Sequence, residues 1–453
     1  MKAIVTGAKF GEATRSVDQA TPTALVRGIR RWDLVAYGIN FVVGASIFGL
    51  PSKIYSLSGS LSLLAYGLCA AAVILIVLCF AEVGSRFNET GGPYLYARTA
   101  LGKVVGFEVG WLRSLAGVTA FAANINLLVT YMSFVWPTAN TQLWRVVIIT
   151  ALTLFLTTIN VLGVRDAART SNMLAVGKLL PLLIFIVVGL FFVQPQNLSH
   201  SARPSVGAVS LSVLLLMQAF AGFDSIAIAA GEIREPQRTV PFALFTTITV
   251  VVLLYVSIQF VCIGTLPELA NSTRPLAEAA SRFLGTPGGY LITAGAIVSI
   301  TGNLNGQLLV TPRTLFAMAE QRQLPAILSV VHSRFHTPYV SILIAAAVIL
   351  GFALSGTFIQ LITISVLARL AVYVATCASL LVLRRRDDVQ PPLFKAPAGV
   401  LIAILSIGLC AWLLASSTRA EALTAAIAAA VGLVVYGVYR LVTPLAQSDR
   451  VVS

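Results

Sequence analysis

Two interruptions and one lysine stand out within otherwise apolar stretches of the chain. Residues 44–47 (GASI) interrupt one apolar run, residues 220–224 (FAGFD) interrupt another, and Lys178 lies within a third. Glycine weakens a helix by about 1 kcal/mol relative to alanine, and a carboxylate in lipid costs more. Each interrupted run is therefore predicted to be two half-helices joined by unwound backbone. The peptide groups exposed there can bind a small charged molecule.

The composition indicates what surrounds these residues. The chain has 453 residues, of which 57% are hydrophobic and 11% charged, and its mean hydropathy is +0.89. Soluble domains carry about 25% charged residues, so the composition argues against a soluble enzyme. A helix needs about 20 apolar residues to cross a bilayer. The sequence predicts an all-α polytopic membrane protein with twelve spans, near 32–57, 61–84, 104–134, 143–163, 172–193, 209–230, 241–265, 288–318, 338–356, 358–383, 397–416 and 421–442.

The net charge of +14 is interpreted as a topology signal. Most lysines and arginines fall in alternate connections between the predicted spans, as cytoplasmic loops require. This pattern argues against a nucleic-acid partner and places both termini in the cytoplasm of a cell that carries the protein in its inner or plasma membrane. Residues 1–30 and 444–453 are then cytoplasmic tails.

Motifs for other chemistry are missing from the sequence. The five cysteines lie in apolar runs without a CxxC pair, and His332 and His336 lack a third metal ligand in the sequence nearby. There is no GxxxxGK[ST], HExxH, GxSxG or TVGYG motif. We therefore expect no metal, no cofactor and no enzymatic activity.

The positions of the two interruptions are informative. Unwound backbone at membrane depth is tolerated only where it lines a cavity, and interrupted helices at matching positions in two halves of a chain indicate a transporter's substrate site. Here they fall in the first and sixth spans, which predicts a transport core over 31–384. Inverted repeats would cover about 31–193 and 209–384, with two further helices in 397–443. The alternative is that the glycines only allow close helix packing.

Three stretches carry a family resemblance. They are residues 38–48 (GINFVVGASIF), residues 81–83 (AEV) with 91–96 (GGPYLY), and residues 220–241, which include GEIREPQRTVP. Together they resemble the amino acid–polyamine–organocation (APC) superfamily of permeases over about residues 30–443. The resemblance implies the LeuT-type five-plus-five inverted repeat, an alternating-access cycle and, most often, an amino acid substrate.

An amino acid needs donors for its carboxylate and acceptors for its ammonium. The amides at the start of the second half-helix and the positive end of its dipole suit a carboxylate, whereas freed carbonyls suit the ammonium. The backbone positions expected at the substrate are Val42, Gly44, Ala45, Ser46, Ile47, Phe220, Ala221 and Gly222. Relatives often have glycine where this chain has Ser46, so that side chain either crowds a bulky substrate or adds a donor.

Side-chain selectivity is assigned by the resemblance to residues facing the breaks. These are Phe121, Gln218, Phe220, Phe223 and Gln307. Because they are aromatic and amide groups without a second free charge, they favour a substrate with a neutral side chain. Phe121 and Phe223 can instead be core or lipid-facing residues, and Gln307 can belong to a packed hydrogen-bond network.

Lys178 and Asp224 are the candidate coupling and gating residues. In some proton-coupled relatives, a lysine at the position of Lys178 puts its ammonium where sodium-coupled relatives bind sodium. The resemblance therefore implies a carrier that is proton-coupled or coupling-free, without sodium. A snorkelling lysine is the alternative. Asp224 can bind the substrate ammonium, relay protons or cap the helix break. Arg113 and Arg369 are further intramembrane charges, for which Glu82 and Glu108 are candidate partners, in a gate or in a structural ion pair.

Overall fold

The computed structural model describes residues 30–89, 91–163, 167–198, 204–228 and 233–442. The predicted terminal tails lie outside these residues, apart from Arg30, and so does the Gly231-Glu232 pair of the third motif. Within the described residues the regular structure is helical. The α-helices are α1 Arg31–Val42, α2 Ser46–Ser58, α3 Ser62–Gly84, α4 Pro93–Leu101, α5 Lys103–Met132, α6 Gln142–Leu162, α7 Ala167–Gly189, α8 Val206–Ala219, α9 Asp224–Ile228, α10 Pro236–Thr265, α11 Pro275–Glu320, α12 Tyr339–Ser355, α13 Phe358–Leu383, α14 Gly399–Ala415 and α15 Arg419–Val442.

The helices have the length and composition of membrane spans. Eight helical segments among the described residues are long and apolar enough to cross a bilayer, and three shorter helices are also apolar. Leucine, valine and phenylalanine side chains are exposed along the outer helices, for example on α6 and α15. A helix that is apolar all round is stable only in a protein core or in lipid, so this is a multi-pass membrane protein.

Both predicted interruptions are present as helix breaks. The first predicted span is divided into α1 and α2 by residues 43–45, and the sixth into α8 and α9 by residues 220–223. Each predicted span lies on a helix or a pair of helices, while the number of helices that cross the membrane stays a prediction.

Two predicted connections contain helices of their own. The connection over 85–103 includes α4, which Gly102 separates from α5 with a φ of +96°. The connection over 266–287 includes the first ten residues of α11, which bends at Gly285 (φ +68°) before its long apolar part. Short helices of this kind carry too few apolar residues to be recognised as spans.

The helices pack in two groups around the breaks. One group consists of α1, α2, α3, α8 and α10, in which α1 and α3 both pack on α10 and α2 packs on α8. The other consists of α5, α6, α11 and α12. Helix α13 packs on members of both groups, α5 and α3 among them, and so connects the two.

Candidate functional site

The first break exposes the beginning of α2. Helix α1 ends at Val42, the amide of Gly44 donates to the carbonyl of Val42 at 2.8 Å, and the ladder of α2 resumes where Phe48 donates to Ala45 at 2.9 Å. No side chain among the described residues caps α2. Because the first amides of a helix have no partner inside it, those of Ala45, Ser46 and Ile47 are available to an anionic group.

The second break lies directly against the first. Gly222 has a φ of +116°, and a Cβ atom built on it would lie 2.9 Å from the carbonyl oxygen of Phe41. Its amide donates to Oδ1 of Asp224 at 3.2 Å. Glycine is needed at this position for two reasons. The backbone conformation is unfavourable for other residues, and the segment around Phe41 lies too close for a side chain.

Tyr255 ties the two breaks together. This fully buried side chain of α10 places its hydroxyl 3.0 Å from the carbonyl oxygen of Val42 and 3.1 Å from that of Ala219. These two residues are the last of α1 and of α8, so one hydroxyl serves carbonyls that end both half-helices. The Val42 carbonyl also accepts a hydrogen bond from the Gly44 amide. The carbonyls of Phe220 and Ala221 are therefore better candidates to face a substrate ammonium.

Lys178 reaches the first break from α7. Its Nζ atom donates to the carbonyls of Asn40 at 2.5 Å and Val43 at 2.8 Å, and the side chain is fully buried. The Ser299 hydroxyl also donates to Val43, at 3.4 Å. A snorkelling lysine would extend toward water, so that interpretation is wrong.

A network of side-chain amides also contacts the first break. Nδ2 of Asn303 donates to the carbonyl of Phe41 at 2.9 Å, and Oδ1 of Asn303 accepts from Asn124 at 3.0 Å and from Gln307. A Cβ atom on Gly44 would lie 3.0 Å from this same Asn303 side chain. Gln307 therefore belongs to a packed network and also lines the cavity described below.

Asp224 is the partner of both buried arginines. Its Oδ2 lies 2.5 Å from Nε of Arg113, and its Oδ1 lies 2.9 Å from Nη1 of Arg369. Glu82, one of the two candidate partners from the sequence, binds Arg384 instead through two hydrogen bonds of 2.7 and 2.6 Å.

Glu108 is not their partner either. Its carboxylate lies on the face of α5 that packs on α15, where a Cβ atom on Gly432 would be 2.9 Å from Oε2. Asp224 thus has two roles. It caps the break through the Gly222 amide, and it pairs with the arginines of α5 and α13.

These elements enclose a cavity of about 20 Å³, roughly the room that one water molecule needs. Its lining includes the predicted residues Val42, Gly44, Ser46, Gln218, Ala221, Gly222 and Gln307, together with Phe41, Arg113, Asn124, Asn303, Val310, Thr311 and Arg369. Helices must separate for a larger molecule to enter.

The remaining predicted residues are buried but are not among the lining residues of the cavity. Ala45 lies in the first break, Ile47 in the first turn of α2, and Phe121 is fully buried in α5. Phe220 packs against Tyr255, with ring centroids 5.2 Å apart, and Phe223 stacks on Tyr373 at 5.3 Å. In this conformation these aromatic side chains are buried in the protein core and do not face lipid.

Sequence reasoning missed Tyr255 and Asn124. Each is a polar side chain inside a largely apolar run. That is the signal that could have found them, but such residues are also common in helix packing. Asn303 was visible as part of the polar patch GNLNGQ over 302–307. Its hydrogen bond to the Phe41 carbonyl joins residues that are 262 positions apart in the sequence, so local patterns could not predict it.

Comparison with known proteins identifies the family of the chain. The family model described as "Amino acid permease" matches residues 29–438. The methylthioribose transporter of Bacillus subtilis (strain 168) is 28% identical over 93% of this chain and 95% of its own length. The serine/threonine exchanger SteT of that organism is 29% identical (88% and 93% covered), and its branched-chain amino acid permease BcaP is 26% identical (92% and 93%). Because the family model covers nearly the whole chain, the protein belongs to the amino acid permease family and is a transporter rather than an enzyme.

Proposed function

We propose that this protein carries an L-amino acid across the cell membrane by alternating access, as a proton symporter. The observation that carries the proposal is the meeting of two broken helices at a cavity, with a buried lysine bound to the carbonyls of one break. The names of its relatives, an exchanger and a permease for amino acids among them, agree with the substrate class.

Substrate binding follows from the free backbone groups. The amides of Ala45, Ser46 and Ile47, at the positive end of α2, bind the carboxylate. The carbonyls of Phe220 and Ala221 lie outside the ladders of α8 and α9 and bind the ammonium.

Proton coupling rests on Lys178. A charged ammonium between the carbonyls of Asn40 and Val43 stabilises the unwound segment through charge-assisted hydrogen bonds. Deprotonation removes the charge and weakens both hydrogen bonds. An access state that keeps this contact therefore binds the proton more tightly than one that breaks it. A proton is then carried with the substrate in each cycle, and sodium is not needed.

The architecture of the proposal has twelve spans in two inverted five-helix repeats, with α14 and α15 added. The pairing of the broken helices with α3 and α10 supports one moving bundle, and α5, α6, α11 and α12 support a separate frame. Rocking of one group against the other opens the cavity to each side in turn. An even number of spans places both termini on the same side of the membrane, and the basic residues of the loops make that side the cytoplasm.

Uptake into proteoliposomes tests the proposal. Wild-type protein should accumulate a labelled amino acid when the interior is alkaline, with equal rates in sodium and in potassium or choline buffers. The variant Lys178→Gln should lose the dependence on the pH gradient while it still exchanges labelled for unlabelled substrate. Uptake that requires sodium at constant pH would overturn the coupling assignment.

Amino acid or polyamine exchange without net proton movement is the second candidate, favoured by the relative named as a serine/threonine exchanger. An exchanger takes up label only when the vesicles already contain substrate, whereas a symporter also fills empty vesicles. A transporter-like sensor or an intramembrane enzyme would show neither behaviour.

A further inference from the structure

Two arginines and one aspartate form a buried cluster at the cavity. Arg113 and Arg369 both line the cavity, are 4% and 5% exposed, and share the fully buried carboxylate of Asp224. Each oxygen of Asp224 is within 2.9 Å of a different guanidinium. Two positive charges therefore face one negative charge.

The surrounding elements add no compensating carboxylate within the described residues. Glu82 is neutralised by Arg384, and Glu108 lies on the side of α5 that faces α15. Lys178, which binds the carbonyls of Asn40 and Val43 at the first break, adds another basic group. The residues around the cavity thus carry at least one positive charge in excess.

An unpaired buried charge is expensive, because taking an ion out of water costs several kcal/mol that only a nearby opposite charge recovers. Nε of Arg369 is buried and has no hydrogen-bond partner among the described residues. The planar guanidinium offers a fork of donors that matches a carboxylate. The missing counter-charge is therefore best supplied by a ligand that carries a carboxylate.

We infer that the substrate is an acidic amino acid, whose side-chain carboxylate binds at Arg113 and Arg369. This inference rests on the proposed function and specifies its substrate. The α-carboxylate binds the amides that begin α2, and the second carboxylate completes a neutral set of four charges with Asp224. The expectation of a neutral side chain assumed that no further charge faces the breaks, and the two arginines contradict that assumption.

Competition in proteoliposomes tests the inference with pairs of nearly equal shape. Labelled L-glutamate and L-aspartate should enter, and L-glutamine and L-asparagine should neither enter at comparable rates nor compete. Uptake of the amides or of other neutral amino acids in preference to the acids would overturn the inference and leave the proposed function intact. Uptake of no amino acid would overturn the proposed function itself.

The variant Arg369→Gln separates substrate recognition from a structural role. In this variant the Asp224 carboxylate is paired with Arg113 alone, so the two buried charges balance and we expect normal folding. Glutamate uptake should fall relative to glutamine uptake by about tenfold or more, as expected for a lost charge-assisted hydrogen bond. Arg282→Gln, at an exposed arginine, should keep the wild-type preference. An equal fall for both substrates in folded Arg369→Gln protein would assign Arg369 to structure alone and overturn the inference.

Discussion

Replacement of Gly222 by alanine tests whether the contact between the two breaks is needed for transport. The φ of +116° is strained for any residue with a Cβ atom, and that atom would lie 2.9 Å from the carbonyl oxygen of Phe41. The Phe41 carbonyl also accepts the hydrogen bond from Asn303 at 2.9 Å. The substitution therefore perturbs both breaks and the amide network together.

The size of the effect follows from two contributions. Strained backbone costs about 1–3 kcal/mol, and displacement of the Phe41 carbonyl weakens a hydrogen bond worth about 1 kcal/mol. Their sum, about 2–4 kcal/mol, shifts the equilibrium constant between the native break geometry and a relaxed one by roughly 30- to 700-fold. Uptake at low substrate concentration should fall by at least about tenfold, since apparent affinity scales with the competent population.

Gly351→Ala is the matched control. Gly351 lies within α12, and a Cβ atom there meets nothing within 4 Å, so alanine should be neutral or slightly stabilising. Both variants are purified, checked by size-exclusion chromatography and thermal unfolding, and assayed for uptake per folded molecule. If Gly222→Ala melts and transports as Gly351→Ala does, the close contact of the breaks has no role in transport.

Three further substitutions test neighbouring contacts, the first two by uptake per folded molecule and the third by thermal unfolding. Gly44→Val should abolish uptake while expression persists, because its side chain would displace Asn303 and block the approach of the carboxylate; wild-type uptake would remove the site assignment. Gln307→Ala should alter substrate preference more than maximal rate, and an unchanged preference in competition assays would place selectivity elsewhere. Tyr255→Phe should lower thermal stability by about 1–3 kcal/mol, since it leaves a buried carbonyl without its donor; an unchanged melting curve would contradict the bridging role of this hydroxyl.

The parts of the site that sequence could predict are local anomalies. Glycines and an aspartate inside apolar runs indicate breaks whichever way the helices pack, because the cost of such residues in a continuous membrane helix depends on the helix itself. The breaks at 43–45 and 220–223 were predictable for this reason. The burial of Lys178 was less so, since an interfacial position was equally compatible with its place in α7.

The contacts that sequence could not predict join distant segments. Arg369 and Asp224 are 145 residues apart, and Tyr255 and Val42 are 213 apart. Nothing local distinguishes Asp224 from Glu82 as the partner of Arg113, because both are single acids in apolar surroundings. Tertiary packing decides between them, and with that choice it decides the charge of the cavity.

A structure determined with the transported amino acid bound tests the central claim most directly. The account predicts that the ligand carboxylate lies within about 3 Å of the amides of Ser46 and Ile47, and the ammonium beside the carbonyls of Phe220 and Ala221. A ligand bound away from both helix breaks, or a first span that runs as an unbroken helix through Gly44, would contradict it.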